Sequence, residues 1–139
     1  MVPTQFAVLN DLRVLVVEDE PLIGMALADE LEAAGALVLG PASSVESALT
    51  TVEQDGPLAA VLDVELCGEL VTPVADALRA RGVPFVFTTG YDSTMLPEQY
   101  LAVPRCMKPA PADEVLTLLC SVLAQVEAVS AVAPADLRR

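Results

Sequence analysis

Histidine is absent from this chain of 139 residues, and cysteine is scarce. Without an imidazole the chain cannot hold a Ser-His-Asp or Cys-His catalytic site, or a metal bound through histidine. The three cysteines, Cys67, Cys106 and Cys120, are odd in number and show no CxxC spacing. That pattern argues against a disulfide framework or a zinc site, and it favours a reducing compartment.

Basic residues are also few, with 7 against 20 acidic ones and a net charge of −13 at pH 7. Such a surface repels phosphate backbones and anionic lipids, so we expect neither a nucleic-acid partner nor a membrane partner. Residues 1–10 lack the pattern of a signal peptide, and the longest uncharged stretch, Val115–Val126, is too short to cross a bilayer. We therefore expect a cytoplasmic protein.

What the chain does have is an apolar majority, with 54% hydrophobic and 19% charged residues, which is enough for the core of one domain. We expect residues 1–10 to form an N-terminal extension and residues 11–128 to form the domain. Residues 129–139 have the composition of a loose C-terminal tail.

Short, β-branched apolar runs alternate with helical patterns five times along the chain. The runs are Leu12–Val17, Leu37–Leu39, Leu58–Leu62, Val83–Phe87 and Val103–Met107. This alternation predicts an α/β fold in which a five-stranded parallel sheet is doubly wound, with helices on both faces. Ligands of such folds bind at the carboxyl ends of the strands.

Two local signals concern the helices. Ser43 and Glu46 have the spacing of a capping box, which predicts the start of the second helix, and Gly56 predicts its end. The segment Asp92–Ala102 contains Pro97 and has mixed polarity. It predicts a fourth helix that is short or mobile.

Charged and hydroxyl side chains follow the predicted strands. Glu18 and Asp19 follow the first strand, Asp63 ends the third, Thr89 ends the fourth, and Lys108 follows the fifth. Each residue alone has an ordinary structural explanation, such as a helix cap or a turn. Together at one edge, however, three close carboxylates predict a Mg²⁺ site. Asp63 can then act as a nucleophile that forms an aspartyl phosphate, with Lys108 and Thr89 contacting the phosphoryl oxygens.

This ordered set, Glu18-Asp19, Asp63, Thr89-Gly90 and Lys108-Pro109, resembles the receiver domain of two-component response regulators. The resemblance covers roughly Asp11 to Val126. It implies the flavodoxin-like receiver fold with strand order 2-1-3-4-5. It also implies that Thr89 is the switch hydroxyl and that Lys108 contacts the phosphoryl group.

The resemblance further implies the roles of the acidic residues. Asp63 is the phosphoacceptor, and the resulting phosphoprotein depends on Mg²⁺. Asp19 binds the metal directly, Glu18 acts through a metal-bound water, and the backbone carbonyl of Glu65 completes the metal shell. The donor is a phosphohistidine on a sensor histidine kinase or on a histidine phosphotransfer protein, which agrees with the absence of histidine here.

Three departures from the common receiver pattern concern the switch and the site. Arg105 stands where most receivers carry an aromatic switch residue, and it is either part of a different switch or a solvated arginine of an edge strand. Ala110 replaces a usual Phe, and Cys67 replaces a usual Pro. These changes put the standard threonine–aromatic relay in doubt but leave the phosphorylation chemistry intact.

The segment Pro84–Tyr91 resembles the Pro-Phe-x-Phe-Ala-Thr-Gly-Tyr signature of an atypical alphaproteobacterial receiver subgroup, with Thr88 in place of Ala. Members of this subgroup lack the switch aromatic and have a reduced fourth helix, and their partners are often kinases of the HWE type. Tyr91 either replaces part of the aromatic switch or simply covers the pocket.

The sequence thus predicts a single-domain response regulator of a phosphorelay, which signals by changing its protein interactions or acts as a phosphate sink. We do not expect a conventional enzyme. One alternative is a haloacid-dehalogenase-like phosphatase, since Asp63-Val64-Glu65 loosely resembles Asp-x-Asp, but the nucleophile of that family follows the first strand. The other alternative is a binding module with a relic pocket.

Overall fold

Strands and helices alternate throughout the computed structural model, which describes residues 3–90 and 96–132, with side chains up to residue 126. Within those residues, the strands of the main sheet and the α-helices are β1 (Arg13–Val17), α1 (Pro21–Ala33), β2 (Leu37–Ala42), α2 (Val45–Asp55), β3 (Ala59–Asp63), α3 (Thr72–Ala80), β4 (Phe85–Thr89), β5 (Arg105–Met107) and α4 (Ala112–Val132).

The five strands form one parallel sheet in the order β2-β1-β3-β4-β5. All residues of the central strand β3 are buried, because helices cover both faces of the sheet. The doubly wound, flavodoxin-like fold predicted from the sequence is confirmed. The register pairs Asp63 with Thr88 of β4, so the carboxyl ends of β3 and β4 lie side by side.

The alternation of side chains along the strands divides the core into two layers. Leu62 and Phe87 belong to the layer under α2 and α3. Val61 and Val86 belong to the layer under α1 and α4. Each fully buried side chain of this size stabilises the fold by about 1.5–3 kcal/mol, so the sheet is held firmly from both faces.

Helix α2 begins one residue later than the sequence predicts. Its N-cap is Ser44, whose side chain accepts a hydrogen bond of 3.1 Å from the backbone N–H of Ser47. The predicted capping box of Ser43 and Glu46 is therefore wrong. The predicted end is correct, because Gly56 adopts the left-handed conformation with a φ of 57°.

The connection between β4 and β5 contains a single 3-10 turn, Glu98–Tyr100, within its described part. Leu96 and Tyr100 are buried there and join the core layer under α2 and α3. The described part thus fits the predicted short fourth helix, whereas residues 92–95 of the predicted segment lie outside the described residues. The mobility of the segment stays a prediction.

Both ends of the described chain are helical. Thr4–Leu9 form a 3-10 helix that packs against α4, and Phe6 and Leu9 are buried in the core layer beneath it. At the other end α4 continues to Val132, past the predicted boundary at residue 128. The division into extension, domain and tail stays a prediction. Among the described residues, no helix is long and apolar enough to cross a membrane.

Candidate phosphorylation and metal site

The predicted metal-binding and phosphoryl-contacting residues meet in one cleft at the carboxyl edge of the sheet, with a volume of about 820 Å³. Its walls include residues that end or follow four of the five strands, β1, β3, β4 and β5. These residues are Glu18, Asp19, Asp63, Glu65, Thr88, Thr89 and Lys108. The parallel topology explains this meeting, because residues far apart in sequence follow strands that end at the same edge.

Three carboxylates form the acidic part of the cleft. Glu18, Asp19 and Asp63 each offer an oxygen within 4.8 Å of the others, and Glu18 and Asp63 are buried. Like charges this close destabilise one another where water is excluded. A hard divalent cation that prefers oxygen ligands relieves this repulsion, so the three side chains fit the predicted Mg²⁺. Glu65 lies in the wall of the same cleft, and its role as a carbonyl ligand stays a prediction.

Lys108 provides the positive charge of the cleft. Its Nζ lies 2.8 Å from Glu18 Oε1 and 3.0 Å from Asp63 Oδ2. Burial alone would lower the pKa of Lys108, but its hydrogen bonds to the two carboxylates outweigh burial and raise the pKa. The ammonium group therefore stays charged and joins two acidic residues from different strands.

The protonation of Asp63 reflects a balance of opposing neighbours. Burial and the negative charge of Glu18 raise the pKa of Asp63, while Lys108 lowers it, and the result is a pKa of about 7. A pKa this high in a cleft beside a lysine marks Asp63 as a candidate functional carboxyl. Additional positive charge near Asp63 would favour its ionised, nucleophilic form.

Asp19 is held by a hairpin that the sequence analysis missed. Glu65–Leu66 pairs antiparallel with Glu69–Leu70, and the turn between them places Cys67 at a φ of 49°. From this turn the Cys67 N–H donates a hydrogen bond of 2.9 Å to Asp19 Oδ2. Burial alone would raise the pKa of Asp19, but this hydrogen bond helps to hold it below its usual value. The donor depends on the absence of the usual Pro, which has no N–H.

Thr88 and Thr89 at the end of β4 are both buried in the cleft. The backbone fixes their positions from both sides, since Val64 N–H donates to the Thr88 carbonyl at 2.9 Å and Lys108 N–H donates to the Thr89 carbonyl at 2.7 Å. Main-chain bonds therefore link Lys108 and the residue after Asp63 to the two threonines at the end of β4, and Lys108 and Asp63 are also joined through their side chains.

Of the two other predicted switch residues, Arg105 is not among the residues that line this cleft. The side chain of Arg105 reaches the β4–β5 connection, where its Nη2 donates to the carbonyls of Leu101 and Val103, the latter at 3.3 Å. Tyr91 lies outside the described residues. Their switch roles stay predictions, although Arg105 has protein partners and is more than a solvated arginine.

No protein-family model and no curated protein matches the sequence. Solved structures do resemble it. The response regulator PhyR from Brucella abortus is 27% identical over 93% of this chain and 54% of PhyR, with a TM-score of 0.77. The receiver domain of PhyR from Erythrobacter litoralis is 28% identical over 84% of this chain and 92% of that domain, with a TM-score of 0.73.

SdrG from Sphingomonas melonis Fr1 is more similar in sequence. It is 43% identical over 81% of this chain and 97% of SdrG, with a TM-score of 0.71. The chain belongs to the response regulator receiver domains. Within them this receiver groups with PhyR and SdrG, as its Pro84–Tyr91 signature predicts. It spans about half the length of PhyR from Brucella abortus but nearly all of SdrG. SdrG has also been solved in a BeF3-activated conformation.

Proposed function

We propose that this receiver accepts a phosphoryl group on Asp63 from a histidine kinase, or from a histidine phosphotransfer protein, in a Mg²⁺-dependent reaction. The observation that carries the proposal is the surroundings of Asp63. Its carboxylate offers an oxygen within 4.8 Å of oxygens of Glu18 and Asp19, and its Oδ2 lies 3.0 Å from Lys108 Nζ. The BeF3-activated conformation of SdrG supports it, because beryllofluoride stands in for a phosphoryl group on a carboxylate.

The chemistry follows from the side chains of the cleft. A carboxylate oxygen of Asp63 attacks the phosphorus atom, and a P–O bond forms as the P–N bond to the leaving imidazole of the phosphohistidine breaks. Lys108, beside Asp63, compensates charge on the phosphoryl oxygens, and Thr89 donates a hydrogen bond to one of them. Asp19 and Asp63 would hold the Mg²⁺ ion, which would supply further positive charge to the reaction.

The output in this proposal is a changed protein-binding surface. We infer that the kinase is of the HWE type, since the receiver groups with PhyR and SdrG. A phosphate sink is the second form of the proposal, and it requires no downstream partner. The two differ in whether the phosphorylated chain binds a protein that the Asp63→Asn variant does not bind.

Phosphotransfer is the direct test. Purified protein is incubated with radiolabelled acetyl phosphate, or with each autophosphorylated histidine kinase of the source organism, with Mg²⁺ or with a chelator. We expect label on the wild type only when Mg²⁺ is present, and none on Asp63→Ala. Asp55→Ala, which removes an exposed carboxylate at the end of α2 and outside the cleft, is the matched control and should be labelled normally. Equal labelling of Asp63→Ala and the wild type would refute the assignment of the phosphoacceptor.

The same experiment separates the rivals. A wild type that takes no label from any donor would favour a binding module with a relic pocket. Steady, repeated turnover of a phosphate monoester would favour a phosphatase, whereas we propose that the chain is no conventional enzyme.

A cytoplasmic location is also part of the proposal, and the free thiols of Cys67, Cys106 and Cys120 support a reducing compartment.

A further inference from the structure

Three aromatic side chains pack together beneath the end of β4. Phe85 and Phe87 are two residues apart and therefore point to the same face of the strand, with ring centroids 5.4 Å apart. The ring of Tyr100, from the β4–β5 connection, lies 6.0 Å from Phe85 and 6.1 Å from Phe87. All three are buried. By the same alternation Thr89 lies on this face, one step beyond Phe87.

Tyr100 is at the same time fastened to helix α3. Its hydroxyl donates a hydrogen bond to Asp76 Oδ1, and the guanidinium of Arg79 lies 4.5 Å from the centre of its ring. Arg79 also donates to the carbonyl of Gln99 at 3.2 Å. Asp76 and Arg79 are three residues apart on α3 and so share a helical face. A hydrogen bond and a cation–π contact thus join Tyr100 to one turn of α3, and we call these contacts of Tyr100 with Asp76 and Arg79 the clamp.

Arg105 also contacts the connection that carries Tyr100. Its guanidinium donates to the carbonyls of Tyr100, Leu101 and Val103, so it helps to hold this part of the connection in place. The position that carries an aromatic switch residue in most receivers is therefore used for backbone contacts. The aromatic side chain that touches β4 is supplied by Tyr100 instead.

We propose that Tyr100 is a positioning residue that couples β4, and with it the switch hydroxyl of Thr89, to helix α3. The inference rests on the proposed function, because Thr89 responds only if Asp63 is phosphorylated. Movement at Thr89 alters the packing of Phe87 against Tyr100, and Asp76 and Arg79 transmit the change to α3. Since both of these α3 side chains are exposed, the surface that phosphorylation changes includes α3.

Amide chemical shifts of the full chain test this coupling residue by residue. Spectra of the wild type, Tyr100→Phe and Asp76→Ala are recorded with Mg²⁺ alone and then with Mg²⁺ and beryllofluoride. Tyr100→Phe keeps the ring against Phe85 and Phe87 but removes the hydroxyl. Asp76→Ala removes the acceptor at an exposed helical position and so preserves the fold. Glu98→Gln is the control, because it removes an exposed charge from the same connection without touching the clamp.

We expect beryllofluoride to shift the amides of Thr88 and Thr89 and also those of Asp76 to Arg79 in the wild type and in Glu98→Gln. In Tyr100→Phe and Asp76→Ala the shifts in β4 remain and those in α3 are lost. An α3 response that is absent from the wild type, or undiminished in both clamp variants, overturns the coupling.

A beryllofluoride-independent comparison separates this inference from the proposed function. If beryllofluoride shifts no amide near Asp63 in the wild type, the proposed function fails, and the spectra recorded with Mg²⁺ alone then decide the coupling. We expect Asp76→Ala alone to shift the amides of Phe87 and Thr89, whereas Glu98→Gln leaves them in place. Unshifted β4 amides in Asp76→Ala refute the coupling whether or not the chain is a phosphoacceptor.

Discussion

At the scale of single residues, the charge on Asp63 decides whether the cleft is ready for chemistry. The carboxyl is buried beside Glu18, and Lys108 only partly offsets that environment, which gives a pKa of about 7. Without further positive charge the group is thus about half protonated at neutral pH. In the proposed reaction, binding of a cation would therefore favour the ionised form of Asp63, which is also the form that acts as the nucleophile.

The stability of the metal-free protein should report this pKa. The folded-state pKa of about 7 lies above the unfolded value, so the stabilising contribution of protonated Asp63 is complete below pH about 4 and is lost as the pH rises through 7. Asp63→Asn stays neutral at every pH. In a chelator, we expect its advantage in unfolding free energy to grow from pH 4 to pH 8, by on the order of a few kcal/mol.

Chemical denaturation across this pH range measures the difference. Mg²⁺ should reduce it at pH 8, because the cation stabilises the ionised wild type. Asp55→Asn, which neutralises an exposed carboxylate on α2, is the control and should show little pH dependence relative to the wild type. A difference between Asp63→Asn and the wild type that is flat with pH would contradict the raised pKa.

The hydroxyl of Tyr100 should ionise only in strong alkali. Burial and the hydrogen bond to Asp76 raise its pKa to about 12, against the opposing charge of Arg79. The chain has 2 tyrosines and no tryptophan, so a Tyr91→Phe variant isolates Tyr100 in the near-ultraviolet tyrosinate absorbance. We expect ionisation near pH 12 in the folded protein and near pH 10 in denaturant. Ionisation near pH 10 under both conditions would show that the hydroxyl is not bound to Asp76.

At the scale of elements, the start of α2 distinguishes two adjacent serines. Ser44 accepts the hydrogen bond from the helix terminus, and Ser43 does not serve as the cap. We expect Ser44→Ala to lower the unfolding free energy by about 1 kcal/mol, since an unpaired N–H is left at the helix start. Ser43→Ala is the matched control and should change it by less than about 0.5 kcal/mol. A larger loss of unfolding free energy in Ser43→Ala than in Ser44→Ala would show that Ser43, which the sequence favours, is the N-cap.

The sequence predicted the elements whose signals are periodic or repeated. Buried strands such as β3 appear in the sequence as continuous apolar runs. Because parallel strands have their carboxyl ends at the same edge of the sheet, these runs predicted that Asp63 and Lys108 meet there. It did not predict contacts that depend on three-dimensional placement. The hydrogen bond from the Cys67 N–H to the Asp19 carboxylate comes from the backbone of a turn, and only the Gly68 that follows indicated a hairpin. The clamp on Tyr100 joins separate segments and leaves no local pattern.

At the scale of the whole molecule, the few basic side chains bind carbonyl and carboxylate groups of the protein itself. In the part of the chain with described side chains, every basic residue contacts a carbonyl or a carboxylate: Arg13 with Gly56, Arg81 with Val52, Arg79 with Gln99, Arg105 with Leu101 and Lys108 with Asp63. Most acidic residues are exposed. The surface is therefore strongly anionic, and binding partners that dock by charge must present a basic face.

The extent of the folded unit can be tested at its N-terminal end. Leu9 is fully buried in the layer under α4, although the sequence assigns residues 1–10 to an extension. We expect Leu9→Ala to lower the unfolding free energy by about 2–5 kcal/mol, because it removes core packing and leaves a cavity. Gln5→Ala changes an exposed residue of the same 3-10 helix and should cost less than about 0.5 kcal/mol. Urea denaturation compares the two, and equal, small effects would place the start of the domain after residue 10.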